Sequence, residues 1–201
     1  MVSQEKEHSN PGPATFWTIP NILSLYRLII FPFILYLIIR HNESLFSVFI
    51  IVSLITDILD GLIARVFHLE TKIGAKLDSW ADTGTYILAF LAVYFFKWNE
   101  FSEHYYPLLV FLLVMIASYL VVFAKFKGLI GLHTYLFKIT GYLQGGFIVI
   151  LFTSGFYTWF YYVAVSFGIL ACIEEIIIIL MISQPRTNVK GLYWVIKNGN
   201  K

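Results

Sequence analysis

Charge is scarce in this chain. Asp, Glu, Lys and Arg together make up 13% of its 201 residues, about half the share of an ordinary soluble domain. Hydrophobic residues make up 59% and aromatic residues 18%, a balance that excludes a soluble globule and describes one integral membrane domain. The formal net charge is only +2, and the basic residues fall at segment ends rather than in one patch, which argues against nucleic acid as a partner. Cysteine is almost missing: Cys172 stands alone inside an apolar run, so there is no intramolecular disulfide and no thiol chemistry to expect. Residues 1–18, with Glu5, Lys6, Glu7, Pro11 and Pro13, lack the continuous apolar core of a cleaved signal peptide. The first hydrophobic helix is therefore expected to act as the membrane signal. No internal repeat and no low-complexity segment is visible.

Apolar runs are what the chain does have. A membrane span needs about 20 apolar residues, and windows of that size fall near 22–40, 44–67, 74–97, 105–127, 134–156 and 158–183. The expected fold is all-α: a polytopic six-transmembrane-helix bundle over 19–183, preceded by an N-terminal cytoplasmic or interfacial segment (1–18) and followed by a cytoplasmic tail (184–201). Short connections make consecutive helices antiparallel neighbours. With both termini in the cytoplasm, Lys6, Arg65, Lys72, Lys76, Lys125, Lys127, Lys138, Arg186, Lys190, Lys197 and Lys201 lie inside and only Arg40 and Lys97 outside, the asymmetry that orients membrane helices. The cell (inner) membrane is the expected location.

Against this background four aspartates stand out, in the order Asp57, Asp60, Gly61, Ala64, Arg65, Gly74, Asp78, Asp82. A carboxylate at the centre of a membrane helix costs roughly 2.5 to 3.5 kcal/mol, so four unpaired ones oppose insertion by about 10 kcal/mol. On a helix, Asp57, Asp60, Gly61 and Ala64 follow i, i+3, i+4, i+7 and share a face, as do Gly74, Asp78 and Asp82 on the next span. Both faces can meet at the cytoplasmic half of the bundle, where the carboxylates call for a counter-charge. Hard oxygen ligands select Mg2+ or Mn2+, and two such ions sharing Asp ligands form a clamp for a transferring phosphorus centre. Gly61, Ala64 and Gly74 remove bulk where a nucleotide base or diphosphate could approach the backbone, and Arg65 offers a planar fork to phosphate oxygens. Small residues also permit plain helix packing. A proton-relaying ion or solute transporter is one rival, but paired halves and interrupted helices are absent. An intramembrane prenyltransferase is another, and such enzymes carry two separated Asp-rich motifs where this chain has one.

The string D-x2-D-G-x2-A-R-x8-G-x3-D-x3-D resembles the signature of the CDP-alcohol phosphatidyltransferases. The run Ile19-Pro20-Asn21-Ile22-Leu23-Ser24-Leu25-Tyr26-Arg27 is similar to the segment that opens the first span in many members. The resemblance implies transfer of a phosphatidyl group from a CDP-lipid such as CDP-diacylglycerol to an alcohol acceptor, with release of CMP, in phospholipid biosynthesis. It implies that Asp57, Asp60 and Asp78 bind metal, that Asp82 also touches the metal site and is the general base, and that Asn21, Asp60, Gly61, Ala64, Arg65 and Gly74 line the CDP-lipid site. Asn21 and Arg27 line the nucleotide cavity, or cap the helix and pair internally.

The motif is common to members with different acceptors, so discrimination is expected in the last three spans. A phosphorylated acceptor such as glycerol 3-phosphate calls for cations, with Lys125, Lys127, His133 and Lys138 the local candidates. For Lys125 and Lys127, ordinary positive-inside flanking is the favoured account. Lys138 with Thr140 is similar to the Lys-x-Thr segment of glycerophosphate-using members. Glu174 and Glu175 interrupt the last span and point about 100° apart. One could pair with Arg27 or Lys138, or line a homodimer contact.

Overall fold

The computed structural model describes residues 17–67, 69, 71–127, 132, 134–184 and 189–198. Most of the expected interfacial segment 1–18, with His133 and Arg186, lies outside them. Among the described residues the regular structure is all helix, without strands: α1 (Ile19–Ile39), α2 (Glu43–Val66), α3 (Lys72–Phe96), α4 (Trp98–Phe101), α5 (Tyr105–Phe126), α6 (Tyr135–Thr153), α7 (Thr158–Met181) and α8 (Leu192–Asn198). Five of them, α1, α2, α5, α6 and α7, are long and apolar enough to cross a membrane. The sequence calls for a sixth span where α3 lies. That helix has 25 residues, ample length, but its first half carries Lys76, Asp78, Asp82 and Thr83, and only the half from Ile87 onward is continuously apolar. Leu113, Leu120, Phe123, Leu170 and Leu180 are all more than half exposed, a surface suited to lipid and not to water. The chain is an integral membrane protein.

The chain forms two compact units, Met1–Phe95 and Phe96–Lys201. In the first, α1 starts where Thr18 accepts a hydrogen bond from the Asn21 backbone N–H at 3.4 Å, with Pro20 in the first turn, where its missing donor is harmless. The helix ends as His41 takes a left-handed conformation (φ 52°), and Asn42 accepts from Leu45 N at 3.2 Å to start α2. This tight corner makes α1 and α2 a hairpin. Where the two helices meet, Ile34, Leu37 and Ile38 of α1 and Phe46 and Ile50 of α2 are buried, none more than 3% exposed. Since lipid is as apolar as these side chains, close packing rather than exclusion from water holds them. Thr71 accepts from Gly74 N at 2.9 Å and starts α3. A side chain at Gly84 would come within 3.1 Å of the Phe31 ring, so the glycine lets α3 lie close against α1.

In the second unit α7 packs against both α5 and α6. Gly168 marks a close approach: a Cβ there would lie 2.6 Å from the Gln144 amide nitrogen and 2.7 Å from the Phe111 ring. Buried polar groups tie these helices together. Ser118 donates to Glu175 Oε2 at 2.6 Å, and Thr140 donates to the Phe167 carbonyl at 3.1 Å. Lys125 Nζ donates to the carbonyls of Ile179 and Leu180 at 2.8 and 2.9 Å, satisfying orphan acceptors at the end of α7. Glu174 Oε1 accepts from Leu192 N at 3.0 Å and holds α8 in place. The two adjacent glutamates thus face different groups, Glu175 the Ser118 hydroxyl and Glu174 the Leu192 amide.

Candidate active site

The three residues Asn21, Ser24 and Arg27 recur every third position in the apolar helix α1 and are all buried. They form a polar stripe facing the acidic faces of α2 and α3. Asp57 and Asp60 lie one turn apart on α2, and Asp78 and Asp82 one turn apart on α3, so each helix delivers a pair of carboxylates on one side. The structure brings all four to a single group, the Arg27 guanidinium. Nη1 donates to Asp57 Oδ1 and, at 2.9 Å, to Asp82 Oδ1. Nη2 donates to Asp60 Oδ2 and Asp78 Oδ1, each at 2.7 Å. Ser24 adds a hydrogen bond to Asp60 Oδ2 at 3.1 Å.

Burial divides the cluster. Arg27 and Asp60 are 4% and 3% exposed, whereas the side chains of Asp57, Asp78 and Asp82 are 39%, 45% and 45% exposed. The guanidinium therefore forms the floor, and three carboxylates form an open rim. One formal positive charge meets four negative ones, leaving the site three charges negative. Carboxylate oxygens of Asp57, Asp60 and Asp78 lie within 4.8 Å of one another, and a compact set of hard oxygen donors fits a divalent cation of the Mg2+ or Mn2+ kind. This trio could hold a metal.

The small residues of the motif differ in what surrounds them. A side chain at Gly61 would meet only Arg65 Nη2, at 3.7 Å, so space remains there. At Gly74 a Cβ would lie 2.2 Å from Asn21 Oδ1: the room expected for a nucleotide is filled by the Asn21 side chain, which donates to Thr71 Oγ1 at 3.4 Å. Arg65 is exposed and folds back along α2, donating Nε to the Gly61 carbonyl at 2.8 Å. Ala64 is half-buried one turn from Asp60 on the same helix. Among the acceptor candidates in the second unit, Thr140 is buried with its hydroxyl on Phe167, Lys125 caps α7, Lys127 ends α5 at φ 51°, and exposed Lys138 rests 5.7 Å from the centre of the Tyr135 ring.

The sequence reading gives Ser24 no role, and of its two readings of Arg27, nucleotide cavity or internal pairing, the structure shows the pairing, with the four aspartates as partners. The three-residue polar spacing in an apolar helix was the signal for both. A counter-charge for four aspartates was expected from a bound ion, and the chain itself supplies part of it.

The family model described as CDP-alcohol phosphatidyltransferase matches residues 17–170. The chain is 36% identical over 96 residues (48% of this chain, 52% of the relative) to the CDP-diacylglycerol–glycerol-3-phosphate 3-phosphatidyltransferase of Aquifex aeolicus. It is 32% identical over 81 residues (38% and 37%) to the protein of that name from Cereibacter sphaeroides. To the cardiolipin synthase (CMP-forming) of Rattus norvegicus it is 37% identical over 83 residues (40% and 26%). The matched stretch thus spans about half or less of each of these relatives. No solved structure matches the chain.

Proposed function

This chain belongs to the CDP-alcohol phosphatidyltransferase family, and from that premise we propose that it transfers a phosphatidyl group from a CDP-lipid to an alcohol, releasing CMP, with glycerol 3-phosphate as the acceptor. The observation that carries the reading is the convergence of Asp57, Asp60, Asp78 and Asp82 from two helices onto one point with a partly open rim. The acceptor assignment draws support from the printed names of the Aquifex and Cereibacter relatives. Family membership displaces the transporter and prenyltransferase readings.

Two divalent ions, Mg2+ or Mn2+, held by Asp57, Asp60 and Asp78 with Asp82 at their edge, would supply positive charge opposite the diphosphate oxygens. The residues of the chain do the rest. Asp82 takes the proton of the acceptor hydroxyl while that oxygen bonds to the lipid-side phosphorus, and the bond from this phosphorus to the bridging oxygen breaks, so that CMP leaves with the bridging oxygen. Space over Gly61 admits the nucleotide, with Ala64 beside it and the exposed Arg65 fork presented to phosphate oxygens. Asn21 and Gly74 act together, the side chain of one seated on the backbone of the other, to fix the first turn of α3 and hence the height of Asp78. Thr140, expected at the acceptor, instead secures α6 to α7 through the Phe167 carbonyl.

The same reading makes α3 a sixth span, polar in its first half because that half lines the site. Both termini and the open rim face the cytoplasm at the inner membrane, as the distribution of Lys and Arg requires. The test is direct: purified protein is incubated with CDP-diacylglycerol, Mg2+ and, in parallel, glycerol 3-phosphate, serine, inositol and phosphatidylglycerol. CMP release is expected with glycerol 3-phosphate. Release with another alcohol alone would reassign the acceptor, and no release with any would overturn the reading.

A further inference from the structure

Arg27 is held in an unusual way. Its four terminal N–H groups are each spent on a different aspartate, while Nε is buried with no partner. Among the described residues the guanidinium is held by the four aspartates, and they include the three whose oxygens could hold a divalent ion. A guanidinium and a divalent cation are both drawn to these carboxylates and repel each other at such short range, the more so because burial weakens screening. We propose that Arg27 is a built-in competitor for the divalent metal: its guanidinium keeps the four carboxylates together in the metal-free protein and yields oxygens as metal binds. Resting on the metal reading above, the inference adds that Arg27 lowers metal affinity in return for holding α1, α2 and α3 together when metal is absent.

Three features of the site support competition over cooperation. Arg27 approaches from the buried side and takes one oxygen from every carboxylate, so no member of the cluster is left wholly to the ion. Its Nε has no partner, so no further hydrogen bond opposes withdrawal of the head group. And the unbalanced charge of the cluster, three negative with Arg27 in place, becomes four negative without it, which favours a divalent cation.

The experiment measures Mn2+ binding to the full-length protein in detergent by calorimetry, without substrate, alongside melting temperature with and without Mn2+. Arg27→Gln removes the charge and keeps a polar side chain of lesser reach. It is expected to bind Mn2+ about tenfold or more tightly than wild type, to melt lower without metal, and to gain more than wild type when Mn2+ is added. A merely structural arginine would lower the melting temperature without tightening Mn2+ binding. Should Arg27→Gln not fold, Arg27→Lys keeps the charge but loses the four-donor fork, and is expected to bind Mn2+ more tightly than wild type by a smaller factor. Wild-type binding with no gain in either variant overturns the competition and leaves the metal reading standing. Absence of Mn2+ binding in all three proteins overturns both.

Discussion

In the first unit one guanidinium gathers four carboxylates and leaves them short of positive charge, whereas in the second Ser118, Thr140 and Lys125 each bind an oxygen of α7, the first on the Glu175 carboxylate and the other two on backbone carbonyls. Both arrangements place polar atoms among membrane helices, where each unsatisfied group is costly. In the second, Ser118, Thr140 and Lys125 each find their partners on α7, and these bonds set how α5 and α6 pack on it. The first is open on one side, negative, and built from oxygens that suit a hard cation. Buried polarity that is balanced holds helices together; buried polarity left unbalanced and partly exposed marks chemistry.

If that contrast is right, loss of a rim carboxylate in the first unit should remove activity and spare the fold, and loss of a buried bond in the second should do the reverse. Asp57→Ala and Asp78→Ala should give the largest effect, loss of CMP release to background in a protein that still purifies as a folded species in detergent. Retained turnover at saturating Mg2+ or Mn2+ would break the comparison. Next comes Asp82→Asn, which keeps the volume and removes the basic oxygen. Turnover should fall by around 10² to 10⁴ while CDP-lipid affinity stays within about tenfold, a shift of roughly 1.4 kcal/mol. Equal losses of both would make Asp82 chiefly a ligand.

Smaller effects separate the two glycines. Gly74→Ala drives Asn21 from its seat, whereas Gly61→Ala meets only ordinary contact and gains helix propensity, so the first should be the less stable by about 1 to 3 kcal/mol. Gly61→Leu, by contrast, should weaken CDP-lipid binding more than it lowers melting temperature. Smallest is Ser118→Ala, which deprives buried Glu175 of a donor. It should cost about 0.6 to 2 kcal/mol of stability and leave CMP release per folded molecule unchanged. A fall in turnover would mean that the second unit shares in the chemistry.

The sequence made much of this legible for a physical reason: hydrocarbon penalises charge so strongly that Asp57, Asp60, Asp78 and Asp82 could not be incidental, and their helical spacing already put them in facing pairs. What it hid were relations between distant segments. Gly74 reads as open space until Asn21, 53 positions earlier in the sequence, is seen to occupy it. Lys125 reads as a flanking charge until the end of α7 is found at its tip. Arg27 reads as either a cavity residue or an internally paired one, because nothing in its local spacing says that four carboxylates converge there. α3 reads less clearly as a membrane helix because its first half carries Asp78 and Asp82, two of the four clustered acids.

The most direct test of the central claim, that the acidic cluster of the first unit works through a divalent cation, is a metal titration of CMP release from CDP-diacylglycerol and glycerol 3-phosphate. Wild-type protein stripped with EDTA should be silent and should recover fully as Mg2+ or Mn2+ is restored. Undiminished turnover in EDTA, with metal shown to be removed, would contradict it.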